Sequence, residues 1–197
     1  MYLATPILRS ITACTAILNF GVGVYFAVVY LFLYDQLNLS PETVGLIFTF
    51  GAVGFVIGAL TASRAANVLG LGPALAVSII LSGVGLALIP FAVYGPTIPL
   101  VAIFMMLSSV GIPIYNINQV SLRQAITPSH IQGRMNATVR SIIRGTVPVG
   151  SFVGGFLGTQ FGIVPTLIVG ALVSAMGVIF LFTQPVRALR EIPAVHA

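Results

Sequence analysis

The stretch "AANVLGLGPALAVSIILSGVGLALIPFAVYGPTIPLVAIFMMLSSVGIPIYNINQVSL", Ala65 to Leu122, contains no charged side chain. A helix crosses the hydrocarbon core of a bilayer with about 20 apolar residues, at about 1.5 Å per residue. This stretch is nearly three times too long for one crossing. It breaks at "YGPTIP", Tyr94 to Pro99, where two prolines and a glycine make a turn. Folded there, it yields two spans, residues 72–93 and 98–122.

The same reasoning extends outward in both directions. Residues 10–34 carry no charge and make one span. Residues 41–63 make the next, opened by Ser40-Pro41-Glu42: an N-cap serine, a proline at the first helical position and an acid at the positive end of the helix dipole. The charge-free run from Gly145 to Val186 breaks at "FGIVP", Phe161 to Pro165, and gives spans at 137–161 and 163–184. The expected fold is therefore an all-α membrane protein, a single bundle of six transmembrane helices over residues 1–197.

Composition agrees with that reading. The chain has 197 residues, is 58% hydrophobic and only 6% charged, with a mean hydropathy of +1.12. A soluble domain carries about a quarter charged residues. A pI near 10.0 raises nucleic acid as a partner, but arginines scattered between apolar runs make no continuous patch, so none is expected. The single cysteine, Cys14, excludes an internal disulfide framework.

The arginines test the span count. Six spans place Arg9, Arg64, Arg123, Arg134, Arg187 and Arg190 on one side, and Asp35 and Glu42 on the other with no arginine. Five or seven spans scatter the cations over both sides. Arginine-bearing loops face the cytoplasm, so both termini are expected there, in a multi-pass protein of the cell membrane. Tyr34 and Tyr94 fall at expected boundaries, where interfacial aromatics collect.

Three arginines crowd the start of the fifth span, in "GRMNATVRSIIRG", Gly133 to Gly145. Thr127-Pro128 and Ser129-x-x-Gln132 both read as helix starts, the second as a capping box. A helix from Ser129 to about Gln160 is roughly 48 Å long, against about 30 Å of hydrocarbon. Its first third then lies outside the core: Arg134 beyond the membrane, Arg140 at the interface, Arg144 just inside. Two readings stay open for Arg140 and Arg144, which share a helix face. They snorkel to lipid phosphates, or Arg144 turns inward as part of a cytoplasmic gate with Arg123, Arg134 and Arg140.

Further along the same span, Gly150, Gly154 and Gly158 recur every four residues, a small-xxx-small face for close helix packing; Gly54 and Gly58 repeat the spacing in the second span. Pro148 is expected to kink the fifth span, with Thr146 or a neighbouring helix serving the freed carbonyl. Polar stripes mark two other spans. In the first, Thr12, Thr15, Asn19, Gly23, Phe26 and Tyr30 follow helical spacing. In the fourth, Ser109, Asn116, Gln119 and Arg123 do so, with Asn118 nearby. Buried amides need partners, so these residues either bridge helices or line a wet cavity. No Asp, Glu or His falls inside a span, so no proton-coupling group is evident. Ser151 shares its depth with no base, so no enzyme, cofactor or metal site is expected.

The segment "SLRQAITPSHIQGRMNATVRSIIRGTVPVGSFVGGFLGTQFG", Ser121 to Gly162, resembles the tenth-to-eleventh helix region of major facilitator superfamily transporters. The likeness rests on Arg123-Gln124, Thr127-Pro128, Gly133-Arg134, Arg140, Gly145, Pro148, Gly150 and Gly154-Gly155. It is most similar to the bacterial drug-efflux branch that includes macrolide and siderophore exporters. "PILRSITACTAILNFGVG", Pro6 to Gly23, resembles that branch's seventh helix. "ALTASRAAN", Ala59 to Asn67, resembles the family's short cytoplasmic signature, with Arg64 in place but Ser63 for the usual Asp and Asn67 for a basic residue. "GTVPVGSFVGG", Gly145 to Gly155, is loosely similar to the antiporter glycine-proline motif, but its Gly-Pro order is broken.

The resemblance implies a twelve-helix fold of two six-helix halves rocking about a midplane site, of which this chain is the carboxy-terminal half. It implies that Asn19, Tyr30, Asn116 and Gln119 face the pathway. The expected function is efflux of small amphipathic organic molecules through the lipid bilayer. The partner is an amino-terminal six-helix half or a second copy. Met1 stands a few residues before the first span, where a start within a longer gene would fall, so a truncated half is expected. A non-transporting membrane subunit or assembly partner is the alternative.

Overall fold

The computed structural model describes residues 6–182. The arginines at 187 and 190, Glu191, and the end of the sixth expected span lie outside the described residues.

Six long helices make up the described chain: α1 (Pro6–Leu31), α2 (Pro41–Leu69), α3 (Leu71–Leu88), α4 (Thr97–Ala125), α5 (Gln132–Phe161) and α6 (Ile163–Met176). A π-turn over Phe32–Gln36 extends α1, and 3-10 turns over Ile89–Tyr94 and Gly177–Leu181 extend α3 and α6. Five of these stretches, Pro6–Gln36, Pro41–Leu69, Leu71–Tyr94, Thr97–Ala125 and Ile163–Leu181, are long and apolar enough to cross a membrane. The sequence expectation was six. The difference is α5, which is 30 residues long but dilutes its apolar residues with three arginines and a series of glycines.

Local chemistry explains most of the boundaries. Ser40 caps α2 by accepting a bond from the Thr43 amide at 3.3 Å, with Pro41 behind it. Two turns need backbone that only glycine adopts freely. Gly70 (φ 84°) links α2 to α3, and Gly162 (φ 93°) links α5 to α6.

The expected capping box at Ser129 does not form. Ser129–Ile131 is a 3-10 turn without a side-chain cap. The Gln132 amide instead reaches back and donates to the carbonyls of Gln124 and Thr127, both at 3.0 Å. Gln124 lies in the last turn of α4 and Thr127 just beyond it, so the amide ties the start of α5 to the end of α4. The expectation for Pro148 also changes. Thr146 donates to Ile143 O at 2.7 Å, not to the Arg144 carbonyl that the proline frees.

Close approaches at glycines fix the helix directions. Gly150, Gly154 and Gly158 of α5 meet Phe20, Val24 and Val28 of α1 in rising order, so α1 and α5 run parallel. Gly54 and Gly58 of α2 meet Met106 and Val110 of α4, also parallel. Gly85 with Ser108 and Gly111 with Ser78 set α3 against α4 antiparallel, and Gly21 with Ser174 and Gly177 with Cys14 do the same for α1 and α6. Going round the bundle, the packing order is α5, α1, α6, α3, α4, α2.

Each helix thus runs opposite to the one before it. Arg9, Arg64, Arg123 and Arg134 come to one end of the bundle, and Asp35 and Glu42 to the other. The core divides in the same sense. One cluster, around Tyr25, Phe32, Ile47, Ile89 and Met105, fills the acidic end. The other, around Ile11, Leu71, Leu75, Tyr115 and Leu122, fills the arginine end.

Candidate functional site

The two polar stripes lie on α1, which packs between α5 and α6, and on α4, which packs between α3 and α2. The faces of α1 that pack on α5 and α6 are taken by Phe20 and Val24, and by Cys14, Leu18, Gly21 and Tyr25. Asn19, Phe26 and Tyr30 occupy the remaining side. Phe26 and Tyr30 are exposed there, and Asn19 is half-buried. Tyr30 stacks on Tyr34, with ring centroids 6.4 Å apart, and on Phe48 of α2 at 5.6 Å. On α4, Asn116 and Ile112 are exposed between the sides that pack on α3 and on α2.

The structure splits the first stripe. Thr12 and Thr15 are buried, and Gly23 packs on Val147 and Gly150 of α5. The Asn19 amide donates to Thr15 O of its own helix at 2.8 Å, which ties it to no neighbouring helix. The interhelical work falls to residues outside the expected pathway set. Asn118 donates to Ala62 O of α2 at 3.1 Å as well as to Ile114 O.

Tyr115, which the sequence stripes passed over, joins α4 to α1 through a 2.7 Å contact with Thr15 Oγ1. Thr15 has one hydroxyl proton and donates it to Ile11 O at 2.8 Å. Tyr115 must therefore be the donor to Thr15. The resulting chain runs from Tyr115 through Thr15 to the Ile11 carbonyl. The signal in the sequence was spacing: Tyr115, Gln119 and Arg123 stand four apart, on one face of α4.

Gln119 and Arg123 are both 4% exposed. The Gln119 Oε1 atom has no hydrogen-bond partner within the protein. A buried acceptor left unpaired costs about 1–3 kcal/mol. The four expected gate arginines are not alike. Arg123 lies buried at the inner end of α4, whereas Arg134, Arg140 and Arg144 stand exposed along α5. Their side of α5 also carries exposed Ser141, Gly145, Pro148, Phe152, Gly155, Phe156 and Thr159. The opposite side of α5 presents Gly150, Gly154 and Gly158 to α1.

An apolar cleft of about 240 Å³, lined by Gly72, Pro73, Ala76, Val77, Ile80, Leu181 and Phe182, opens beside α3. It holds no side-chain hydrogen-bonding group and lies away from the polar faces of α1 and α4. Among the described residues no three His, Cys, Asp or Glu side chains gather where they could hold a metal ion.

This is an all-helical integral membrane protein with five helices long and apolar enough to cross a bilayer. The Major Facilitator Superfamily family model matches residues 11–197, and the chain belongs to that family of secondary transporters. No curated protein and no solved structure gives a significant match.

Proposed function

We propose that this chain is the carboxy-terminal six-helix half of a secondary transporter that exports small amphipathic organic molecules across the cell membrane. In this reading all six helices span the bilayer, and the arginine end faces the cytoplasm, as the segregation of charge favours. α5 spans despite its modest apolarity because protein, not lipid, covers its outer side.

The observation that carries the proposal is the composition of that outer side. A helix surface facing acyl chains is built from aliphatic side chains, as α3 and α6 are, with Val77, Ile80 and Val84, and Val169, Leu172 and Met176. The outer side of α5 instead sets arginines, serine, glycines and threonine among the exposed apolar Ile142, Val149, Phe152 and Phe156. Polar and small residues on a membrane helix mark contact with protein or a wet cavity. A second six-helix bundle, the amino-terminal half, supplies both. It closes over Asn19, Tyr30, Asn116 and Gln119 and turns them into the lining of a midplane pathway.

The test is complementation in an efflux-deficient bacterium. The chain is expressed alone, then with an amino-terminal six-helix half from the same superfamily, and release of a fluorescent amphipathic dye is followed. Alone, it gives no release above the empty vector; together, the two halves do. Release by the chain alone refutes the proposal. Stable pairing without release, for every dye tried, favours a non-transporting subunit.

A further inference from the structure

Resting on the transport reading, and deepening it by naming a substrate class, we propose further that the outer mouth between α1 and α2 binds aromatic organic cations on the ring faces of Tyr30, Tyr34 and Phe48. Tyr30 lies in the last turn of α1, Tyr34 in the π-turn that extends it, and Phe48 on α2. These two helices are joined by a short turn but do not pack along their lengths. The rings therefore meet across the gap between them.

Two independent observations point to a cation. The first is the alignment of the rings. Tyr30 lies nearly parallel to both neighbours: at 21° to Tyr34 with centroids 6.4 Å apart, and at 23° to Phe48 with centroids 5.6 Å apart. Tyrosines that only mark a membrane boundary need no such alignment, because each hydroxyl seeks the headgroups by itself. The row also stays open, with Tyr30 45% and Tyr34 38% exposed. The face of each ring is negative and draws a cation within about 6 Å of its centre. A flat aromatic guest extends the row by stacking.

The second observation is the field. Asp35 follows Tyr34 directly, and Glu42 stands in the first turn of α2, about 9 Å along its axis from Phe48. Both side chains are exposed, and they are the two carboxylates among the described residues. The described arginines all belong to the other half of the bundle: Arg144, the furthest along α5, is level with Cys14 in the register that sets Gly150 against Phe20. The mouth is therefore negative, which favours an organic cation and opposes an anion of equal size.

The experiment is equilibrium binding to the full chain in maltoside micelles, whose uncharged headgroups do not compete for a cation. The probes are benzyltrimethylammonium and benzenesulfonate, similar in size and opposite in charge. The first has no N–H, so its binding reads ring faces and field without hydrogen bonds. It is expected to bind saturably, and benzenesulfonate not. Tyr30→Leu should weaken the cation about fivefold to thirtyfold, the worth of one or two cation–π contacts. Tyr30→Phe, which keeps the ring, should recover most of that loss. Phe48→Leu is the second arm should Tyr30→Leu melt early, and a loss of the same order is expected. Asp35→Asn should weaken binding about twofold to fivefold at low salt and less at high salt. Tyr94→Leu, at an 86% exposed ring at the same end of the bundle but outside the row, should change nothing.

Benzenesulfonate binding as tight as that of the cation overturns the proposal. So does cation binding that ignores both Tyr30→Leu and Phe48→Leu, an equal loss in Tyr94→Leu, or no saturable binding of the cation. The transport reading is judged separately. Paired halves that release dye while the chain binds no cation leave that reading standing and sink this one. Cation binding that responds to Tyr30 and Phe48, without release by paired halves, does the reverse.

Discussion

Two surfaces of this bundle are equally exposed and differently made. The side formed by α3 and α6 shows Val77, Ile80, Val84, Val169, Leu172 and Met176. The outer side of α5 shows Arg140, Ser141, Arg144, Gly145, Gly155 and Thr159 beside Ile142, Val149, Phe152 and Phe156. The first has the chemistry of a protein dissolved in lipid. The second does not, although it belongs to the same bundle. Exposure alone therefore does not say what a membrane protein faces. The side chains that are exposed do say it, because hydrocarbon tolerates no unserved polar group.

The largest expected effect comes from putting the wrong chemistry on the lipid side. Leu172→Arg, near the middle of α6 and its following turn, should reduce insertion by about 2.5–3.5 kcal/mol, measured as the fraction of chain integrated into microsomes. Arg144→Leu makes the opposite exchange on α5. It should insert as well as the parent or better, yet lower dye release by paired halves. An equal insertion loss for both variants would erase the distinction between the two sides.

The two faces of α5 can be separated next. An added Cβ at Gly154 meets the backbone of Val24, whereas one at Gly155 meets nothing within 4 Å. Gly154→Leu should therefore destabilise the isolated chain by about 1–3 kcal/mol, the range of overpacked cores, seen as a lower melting temperature in detergent. Gly155→Leu should melt like the parent and show its effect only when the second half is present, as lost pairing. A shared loss in the isolated chain would mean that the outer side of α5 already packs within this bundle.

These contrasts also indicate what the sequence makes legible. Helix number and order follow from charge-free runs and turn residues, because burial of backbone polar groups leaves a lipid-dissolved chain few options. Where Gly150, Gly154 and Gly158 lie was readable from spacing, since a bare backbone face has one main use. Partner choice was less readable. Asn19 and Asn118 are the same residue type, one in the first stripe and the other beside the second. One bonds its own helix, and the other crosses from α4 to α2. The difference depends on which neighbour lies beside each, and that is fixed by tertiary packing. Gln132 was misread for the same reason, because a cap within its own turn and the carbonyls ending α4 compete on nearly equal terms. Tyr115 escaped notice because an aromatic in a span looks like filler until its hydroxyl is seen against Thr15.

That hydroxyl gives the smallest and sharpest test, at the point where side chains of α1 and α4 meet. Tyr115 donates to Thr15, and Thr15 donates to Ile11 O. Tyr115→Phe removes one donor and leaves the Thr15 hydroxyl proton still placed, a loss of about 0.6 kcal/mol, typical of interhelical bonds in membranes. Thr15→Val removes the acceptor instead and strands the Tyr115 proton in a buried site, which should cost more, about 1–2 kcal/mol. The double variant leaves nothing stranded and should melt close to Tyr115→Phe alone. If Tyr115→Phe proves the costlier single change, the direction of the bond is reversed. If the two single losses simply add, the two side chains are not coupled, and α1 and α4 are held in place by their neighbours alone.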